Sequence, residues 1–149
     1  MSLVVLTSLA LFALASTYAL WRGGPPERLA AKVVVVWILT DVTYHLIFGK
    51  SGFVHVDPAH LVIDGAELAA ITWLALQANR VWPIWAAGAQ LMTFTGHLVV
   101  MISPGGVDRA YWAMTQLPPY IQLFAMVCGA AFHNRRFERI GPYRSWRTT

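Results

Sequence analysis

Acidic and imidazole side chains interrupt three otherwise apolar stretches of the chain. Asp41 and His45 close the run that begins VVVVWIL at residue 33, Asp64 and Glu67 lie in HLVIDGAEL, and His97 lies in TFTGHL. A carboxyl group and an imidazole held together can exchange protons or bind a polar group of a ligand. A mixed cluster of this kind can also hold a proton near neutral pH. The residue types therefore point to acid–base chemistry or to ligand binding.

Helical spacing would place these groups on shared faces, because residues three and four apart are neighbours on a helix. Three such faces follow from the sequence, one on each of three successive apolar stretches. We predict that they line one ligand pocket, with Asp41, Glu67 and His97 as the candidates for a catalytic role. The predicted pocket consists of Asp41, Tyr44, His45, Asp64, Glu67, Gln90, Thr93 and His97.

The composition indicates that these stretches lie in a membrane. Apolar residues make up 57% of the 149 residues and charged residues 12%, against roughly 25% charged in ordinary globular domains. A soluble chain of this size could not bury so much apolar surface, so we predict an integral membrane protein. The single cysteine, Cys128, excludes an internal disulfide and a cysteine-based zinc site.

Five apolar runs are separated by segments that combine glycine or proline with charge, namely RGGPPER, GKSGFVHVDP, NRVWP and SPGGVDR. A spanning helix needs about 20 residues, and the runs lack the alternation of barrel strands. The prediction is an all-α integral membrane bundle of five transmembrane helices over residues 1–133, with a basic cytoplasmic tail over 134–149. The predicted spans are 3–21, 33–48, 60–78, 82–103 and 117–133.

The basic residues predict the orientation. Nine of the eleven lysines and arginines fall on one side of a five-span arrangement, and only Lys50 and Arg109 fall on the other. The positive-inside rule then places the amino terminus outside and the carboxyl terminus in the cytoplasm. With a rise of about 1.5 Å per residue, Asp41, Glu67 and His97 each lie about 9–10 Å below the outer ends of their helices.

The polar layer has two interpretations. Buried polar side chains can simply hold helices together, at about 0.6 kcal/mol per hydrogen bond, in which case His97 pairs with Asp41 or Glu67. Alternatively, the layer is a pocket that opens outward. His45 and His97 are the only histidine pair at positions suited to a metal or haem, and HExxH and CxxC motifs are absent. No metal site is predicted, and the cofactor is left unknown.

The connecting segments add three expectations. LQANRVWPIW is short enough to join the third and fourth helices as a tight antiparallel hairpin, and SPGGVDRAYWAMTQLPPY is long enough to cover the outer mouth of the bundle. The tail carries five arginines, which an anionic membrane surface attracts at roughly 1 kcal/mol each. We expect membrane lipids as partners, and no nucleic acid.

Four stretches carry a resemblance: YALWRGGPPER, the aspartate of HLVIDGAEL, LALQANRVWPIWAAGAQLMTFTGHL and HNRRFERIGPYRSW. Together they resemble a family of small multi-spanning membrane proteins of sphingomonads and related alphaproteobacteria, which implies a bacterial inner-membrane protein and no particular activity. YHLIFG, the acids of the third run, Gln90 and His97 are also weakly similar to the five-helix sterol-isomerase and sigma-2-receptor type of fold. That likeness implies a pocket for a sterol-like molecule.

Three functional hypotheses follow. The first is a small inner-membrane protein that is an accessory subunit of a larger membrane complex, or a binder of an apolar ligand such as a lipid, quinone, carotenoid or pigment. The second is a membrane enzyme acting on a lipid or isoprenoid, with Asp41 or Glu67 as acid or base and His97 as its partner. The third is a proton or ion conductor that uses the same acids. A homo-oligomer is compatible with each.

Overall fold

The described part of the chain is all-α. The computed structural model describes residues 3–49, 57–102 and 108–147. Within these ranges there are six helices, five of them long, and this confirms the predicted class. They are α1 (Leu3–Arg22), α2 (Pro25–Phe48), α3 (Pro58–Gln77), α4 (Trp82–Ile102), α5 (Asp108–Gln116) and α6 (Pro118–Ile140).

Four of the helices, α1 to α4, are long and apolar enough to cross a bilayer. The chain is thus a multi-pass membrane protein with four candidate spans. The predicted fifth span, 117–133, overlaps α6, which is not a candidate by the same criteria of length and hydropathy. The reason is compositional, because α6 opens with two prolines, contains Gln122 and ends in the charged run HNRRFERI.

Two helices have bounds that differ from the predicted ones. α2 begins at Pro25, eight residues before the predicted start at 33, because proline suits the first turn of a helix. α6 continues through the first part of the predicted tail and ends at Ile140, where Gly141 adopts a positive φ of 73°. Such a backbone conformation favours glycine and commonly terminates helices.

The helices pack through small residues. α4 has its most extensive contacts with α3 and α6, and α1 packs against α2 and α6. Ala86 on α4 and Ala130 on α6 are completely buried, which allows close approach of the backbones. Large apolar side chains such as Ile102 and Leu46 are exposed instead, as expected for a surface that faces lipid.

The described bundle has two polar ends, which we name by their residues. The histidine end consists of Phe48, Gly49, Asp57, the carboxyl end of α4 at Ile102, and α5, and it is named for the nearby His45 and His60. The arginine end consists of residues 22–24, the turn at 78–81 and residues 141–147. That turn joins α3 to α4 as the predicted hairpin.

The carboxyl-terminal segment returns to the arginine end. The Asn79 N–H donates to the Ser145 carbonyl at 2.9 Å, and the Arg147 N–H donates to the Gln77 carbonyl at 2.8 Å. An isolated antiparallel bridge joins Ala78 to Trp146. Residues 141–147 are therefore packed against the α3–α4 turn.

α5 occupies the segment predicted to cover one mouth of the bundle. It packs on α4, where a Cβ at Gly96 would lie 3.0 Å from the Cβ of Met114 and 3.4 Å from Thr115 Cγ2. The glycine thus permits the close approach of the two helices. Tyr111 of α5 is buried and reaches the polar layer. The SPGGV part of the segment, residues 103–107, lies outside the described residues.

Candidate functional site

Asp64 is the centre of the buried polar layer. Trp37 Nε1 on α2 donates to Asp64 Oδ1 at 2.7 Å, and His97 Nε2 on α4 contacts Asp64 Oδ2 at 2.7 Å. Gln90 Nε2 donates to the Asp64 backbone carbonyl at 3.2 Å. Three helices are therefore joined at one carboxylate.

The structural interpretation of the sequence paired His97 with Asp41 or Glu67. In the structure, the carboxylate partner of His97 is Asp64 instead. The α3–α4 hairpin decides this, because it sets the level at which the side chains of the two helices meet. On the other side of the ring, His97 Nδ1 lies 2.9 Å from the Tyr111 hydroxyl. Burial and the charge of Asp64 raise the pKa of Tyr111, so the phenol stays protonated and can donate to a neutral His97.

Glu67 lies one turn further along α3 and is held from a different helix. Gln122 Nε2 on α6 donates to Glu67 Oε1 at 2.9 Å. Three buried polar atoms at this level, Glu67 Oε2, Gln90 Oε1 and Thr93 Oγ1, have no hydrogen-bond partner among the described residues. Gln122 was not predicted as a site residue, although its position in an apolar run signalled it.

The remaining predicted residues form a second, partly exposed group at the histidine end. Asp41 and His45 on α2 face His60 on α3, and the three offer ligand atoms within 4.8 Å of one another. His45 is therefore paired with His60, not with His97. The Tyr44 hydroxyl donates to Asp57 Oδ2 at 2.6 Å, next to the same group.

Asp57 stabilises the start of α3. Its Oδ1 accepts from the Ala59 N–H at 3.0 Å, which makes it the N-cap, and Pro58 follows at the first helical position. Burial alone would raise the pKa of Asp57, but the hydrogen bonds from Tyr44 and Ala59 and the neighbouring His60 hold that pKa below its ordinary value. Asp57 is therefore ionised and can orient its neighbours.

The arginine end holds a third group, which the sequence analysis missed. Glu27 is completely buried, and its Oε1 accepts from Arg80 Nε at 3.2 Å and from Trp82 Nε1 at 2.9 Å. Because RGGPPER was interpreted only as a break between helices, Glu27 was placed in a loop. The available signal was an acid directly after two prolines, a pattern typical of the first turn of a helix.

A groove of about 710 Å³ runs along α4 and α6 at the arginine end. One part is apolar, and the other is basic. Among the residues that line it none is acidic, and none of the eight predicted pocket residues is among them. The apolar lining includes Trp85, Ile121, Phe124, Cys128 and Phe132, and the basic lining includes Arg80, His133, Arg136 and Arg147.

Tyr143 organises the basic part of this α4–α6 groove. The guanidinium carbons of Arg80 and Arg136 lie 4.6 Å and 4.3 Å from the centre of its ring, a cation–π arrangement. Its hydroxyl lies 2.8 Å from His133 Nδ1. The returning segment thus holds arginine side chains at the mouth of the groove.

The chain matches no family model, no curated protein and no solved structure. Its function must therefore be inferred from the chemistry of these three polar groups and the groove.

Proposed function

We propose that the protein is a bacterial inner-membrane binder of an anionic phospholipid, with the α4–α6 groove as its site. The observation that carries the proposal is the division of this groove into aromatic and aliphatic side chains along one part and three arginines at the other. An acyl chain fits the first part, and a phosphate fits the second. A quinone, a carotenoid and a pigment share the apolar body but lack the anionic group.

The proposal includes α6 as a fifth span. α6 has 23 residues and is therefore about 35 Å long at a rise of about 1.5 Å per residue, against about 30 Å of hydrocarbon. It packs extensively on α4, which is itself a candidate span. With the arginine end in the cytoplasm, as the positive-inside rule favours, the groove opens toward the inner leaflet.

Two arginines are available to the headgroup. Arg136 and Arg147 are exposed and line the groove, whereas Arg80 already contacts Glu27. Guanidinium groups bind phosphate through paired hydrogen bonds. Because the Arg136 side chain lies against the Tyr143 ring, part of the entropic cost of ordering it is already met in the unbound protein.

The test compares an anionic and a zwitterionic phospholipid that have the same acyl chains. Protein in mild detergent is mixed with phosphatidylglycerol or with phosphatidylcholine of the same acyl chains, and the bound lipid is counted by native mass spectrometry. We expect retained phosphatidylglycerol, which the double variant Arg136→Ala/Arg147→Ala loses. The matched control is Arg135→Ala/Arg139→Ala, which removes two exposed arginines that do not line the groove. Equal retention of both lipids, or equal loss in both double variants, would refute the proposal.

The polar layer supports this function by holding the helices together. Asp64, His97 and Tyr111 are buried and bind one another, which favours the structural interpretation over acid–base catalysis. Ile71 and Leu74 are almost completely buried and lie on α3 between Glu67 and the arginine end. An apolar layer at that position does not favour a proton conductor. An accessory role in a larger complex stays a prediction, tested by identifying proteins that co-purify in mild detergent.

A further inference from the structure

The Asp41 cluster, which we define as Asp41, His45 and His60, has the geometry of an incomplete metal coordination sphere. His45 Nε2 and His60 Nε2 lie 3.2 Å apart. Asp41 Oδ1 lies 3.2 Å from His60 Nε2 and 3.7 Å from His45 Nε2. The three atoms thus form a nearly equilateral triangle.

Those separations are the ones that a tetrahedral ion requires. Zinc binds imidazole nitrogen and carboxylate oxygen at about 2.0–2.2 Å, so that two ligand atoms at corners of the tetrahedron lie about 3.3–3.5 Å apart. Asp41 and His45 come from one face of α2, and His60 comes from the first turns of α3. Small side-chain movements would bring all three atoms to bonding distance of one ion.

Polar groups lie behind both imidazoles, and the one behind His45 is hydrogen-bonded to the ring. His45 Nδ1 lies 3.0 Å from the Gly49 carbonyl, and a carbonyl can only accept, so Nδ1 carries the proton and Nε2 has the free lone pair. His60 Nδ1 lies 3.4 Å from Asp57 Oδ2, within ion-pair distance but without a hydrogen bond. A carboxylate or carbonyl behind a metal-binding histidine is the usual device that sets its tautomer and orientation.

Two imidazole nitrogens 3.2 Å apart require a proton or a metal cation between them, because two lone pairs at this distance would repel. The carboxylates of Asp41 and Asp57 supply two negative charges around this point. The exposed fractions of the side chains are 31% for Asp41, 32% for His45 and 17% for His60, so an ion can reach them from the histidine end.

We propose that the Asp41 cluster is a site for a divalent transition metal, with zinc as the ion that fits best. Among the described residues, two imidazoles and one carboxylate fill three positions of a tetrahedron, and the fourth is available for water or a further ligand, as in zinc sites of this kind. The same ligand set is used for ferrous iron. The site lies at the end of the bundle opposite the α4–α6 groove, and it does not depend on lipid binding there.

The experiment uses the full chain, purified without a polyhistidine tag and freed of metal with a chelator. Zn²⁺ is titrated by calorimetry, and Co²⁺ is titrated by visible absorption, which reports tetrahedral coordination. We expect one equivalent of each ion per chain, and loss of that equivalent in Asp41→Asn, His45→Gln and His60→Gln. His133→Gln, which alters a histidine at the arginine end, should still bind one equivalent.

The variant Asp57→Asn tests whether the Asp41 cluster binds a metal ion or only holds a proton between the His45 and His60 rings. Loss of a group that orients a metal ligand typically weakens affinity 10–100-fold, so this variant should bind Zn²⁺ with reduced affinity but unchanged stoichiometry. Thermal midpoints of the metal-free variants will check that each is folded. We expect that they are, because Asp41 and His45 are partly exposed. Metal-free protein that binds no Zn²⁺ above the level of the double variant Asp41→Asn/His60→Gln would overturn the proposal and leave only a proton between the rings.

Discussion

The arginine end and the polar layer each bury one carboxylate against a tryptophan indole, but the second partner differs. At the arginine end, Glu27 accepts from Trp82 Nε1 and Arg80 Nε. In the polar layer, Asp64 accepts from the Trp37 indole of α2 and contacts His97 Nε2. Arginine keeps its charge at every accessible pH, whereas histidine gains or loses a proton near neutrality. The first carboxylate is therefore held by a guanidinium group, and the second by an imidazole.

The two buried pairs also differ in what surrounds them. Arg80 connects Glu27 to the Asn79 carbonyl and to the Tyr143 ring, so one side chain holds the α3–α4 turn, α2 and the returning segment together. In the polar layer, the buried Asp64–His97 pair is distinct from the partly exposed Asp41 cluster at the histidine end. We therefore expect substitutions in the Glu27–Arg80 pair to cost more stability than substitutions in the Asp64–His97 pair.

The largest effect is expected for Arg80→Leu. This change leaves Glu27 buried without its cation, which typically costs about 3–5 kcal/mol. The thermal midpoint in detergent should fall strongly, measured by intrinsic fluorescence. The double variant Glu27→Gln/Arg80→Leu should recover part of the loss, because the amide carries no charge. If Arg80→Leu were as stable as Arg135→Leu, the ion pair would not hold this end together.

A smaller loss, of about 2–3 kcal/mol, is expected for His97→Leu, because it removes one hydrogen bond to a buried carboxylate whose other oxygen stays paired with Trp37. The measurement is again the thermal midpoint. Tyr111→Phe, which removes only the hydroxyl on the far side of His97, should cost about 1 kcal/mol. A loss for His97→Leu that exceeds that of Arg80→Leu would reverse the comparison between the two buried pairs.

Three glycine-to-alanine changes compare packing at the two ends. A Cβ on Gly129 would overlap the indole of Trp82, whereas one on Gly96 would meet only the nearest atoms of α5, and one on Gly88 would meet nothing within 4 Å. We expect Gly129→Ala to cost about 1–2 kcal/mol, Gly96→Ala less than that, and Gly88→Ala to be neutral or slightly stabilising. Equal midpoints for Gly129→Ala and Gly88→Ala would show that Trp82 adjusts without loss of its bond to Glu27.

The smallest effect concerns pH at the histidine end. Because the pKa of Asp57 in the folded protein lies below its ordinary value, the stability it contributes is fully present above the ordinary carboxyl pKa of about 3.9. It is lost as the pH falls through the lower, folded-state value.

Asp57→Asn keeps a good N-cap but removes the charge. At pH 5 its free energy of unfolding should be about 0.5 kcal/mol lower than that of the wild type, which lowers its thermal midpoint. The two midpoints should converge toward pH 3. Tyr44→Phe, which removes one donor to Asp57, should show part of the same difference. A gap that widens on acidification would contradict the sign of the shift.

The sequence by itself determined the helical class, the candidate spans α1 to α4 and the α3–α4 hairpin. Uninterrupted apolar runs can satisfy their backbone groups in lipid only as helices, and a turn of a few residues leaves two helices no arrangement except antiparallel neighbours. The same periodicity correctly grouped Gln90, Thr93 and His97 on a buried face. These conclusions depend on the backbone and on local spacing alone.

Only the tertiary structure decided which faces meet and at what level. Helical periodicity states that Asp64 and Glu67 share a face of α3, but a shift of one turn along the neighbouring helix exchanges the partner of His97. The association of His45 with His60, of Glu27 with Arg80, and of residues 141–147 with the α3–α4 turn depends in the same way on side chains distant in sequence. Their contacts depend on how each helix is rotated and shifted along its axis relative to its neighbours. Packing between helices sets these two quantities, so they cannot be derived from any single segment.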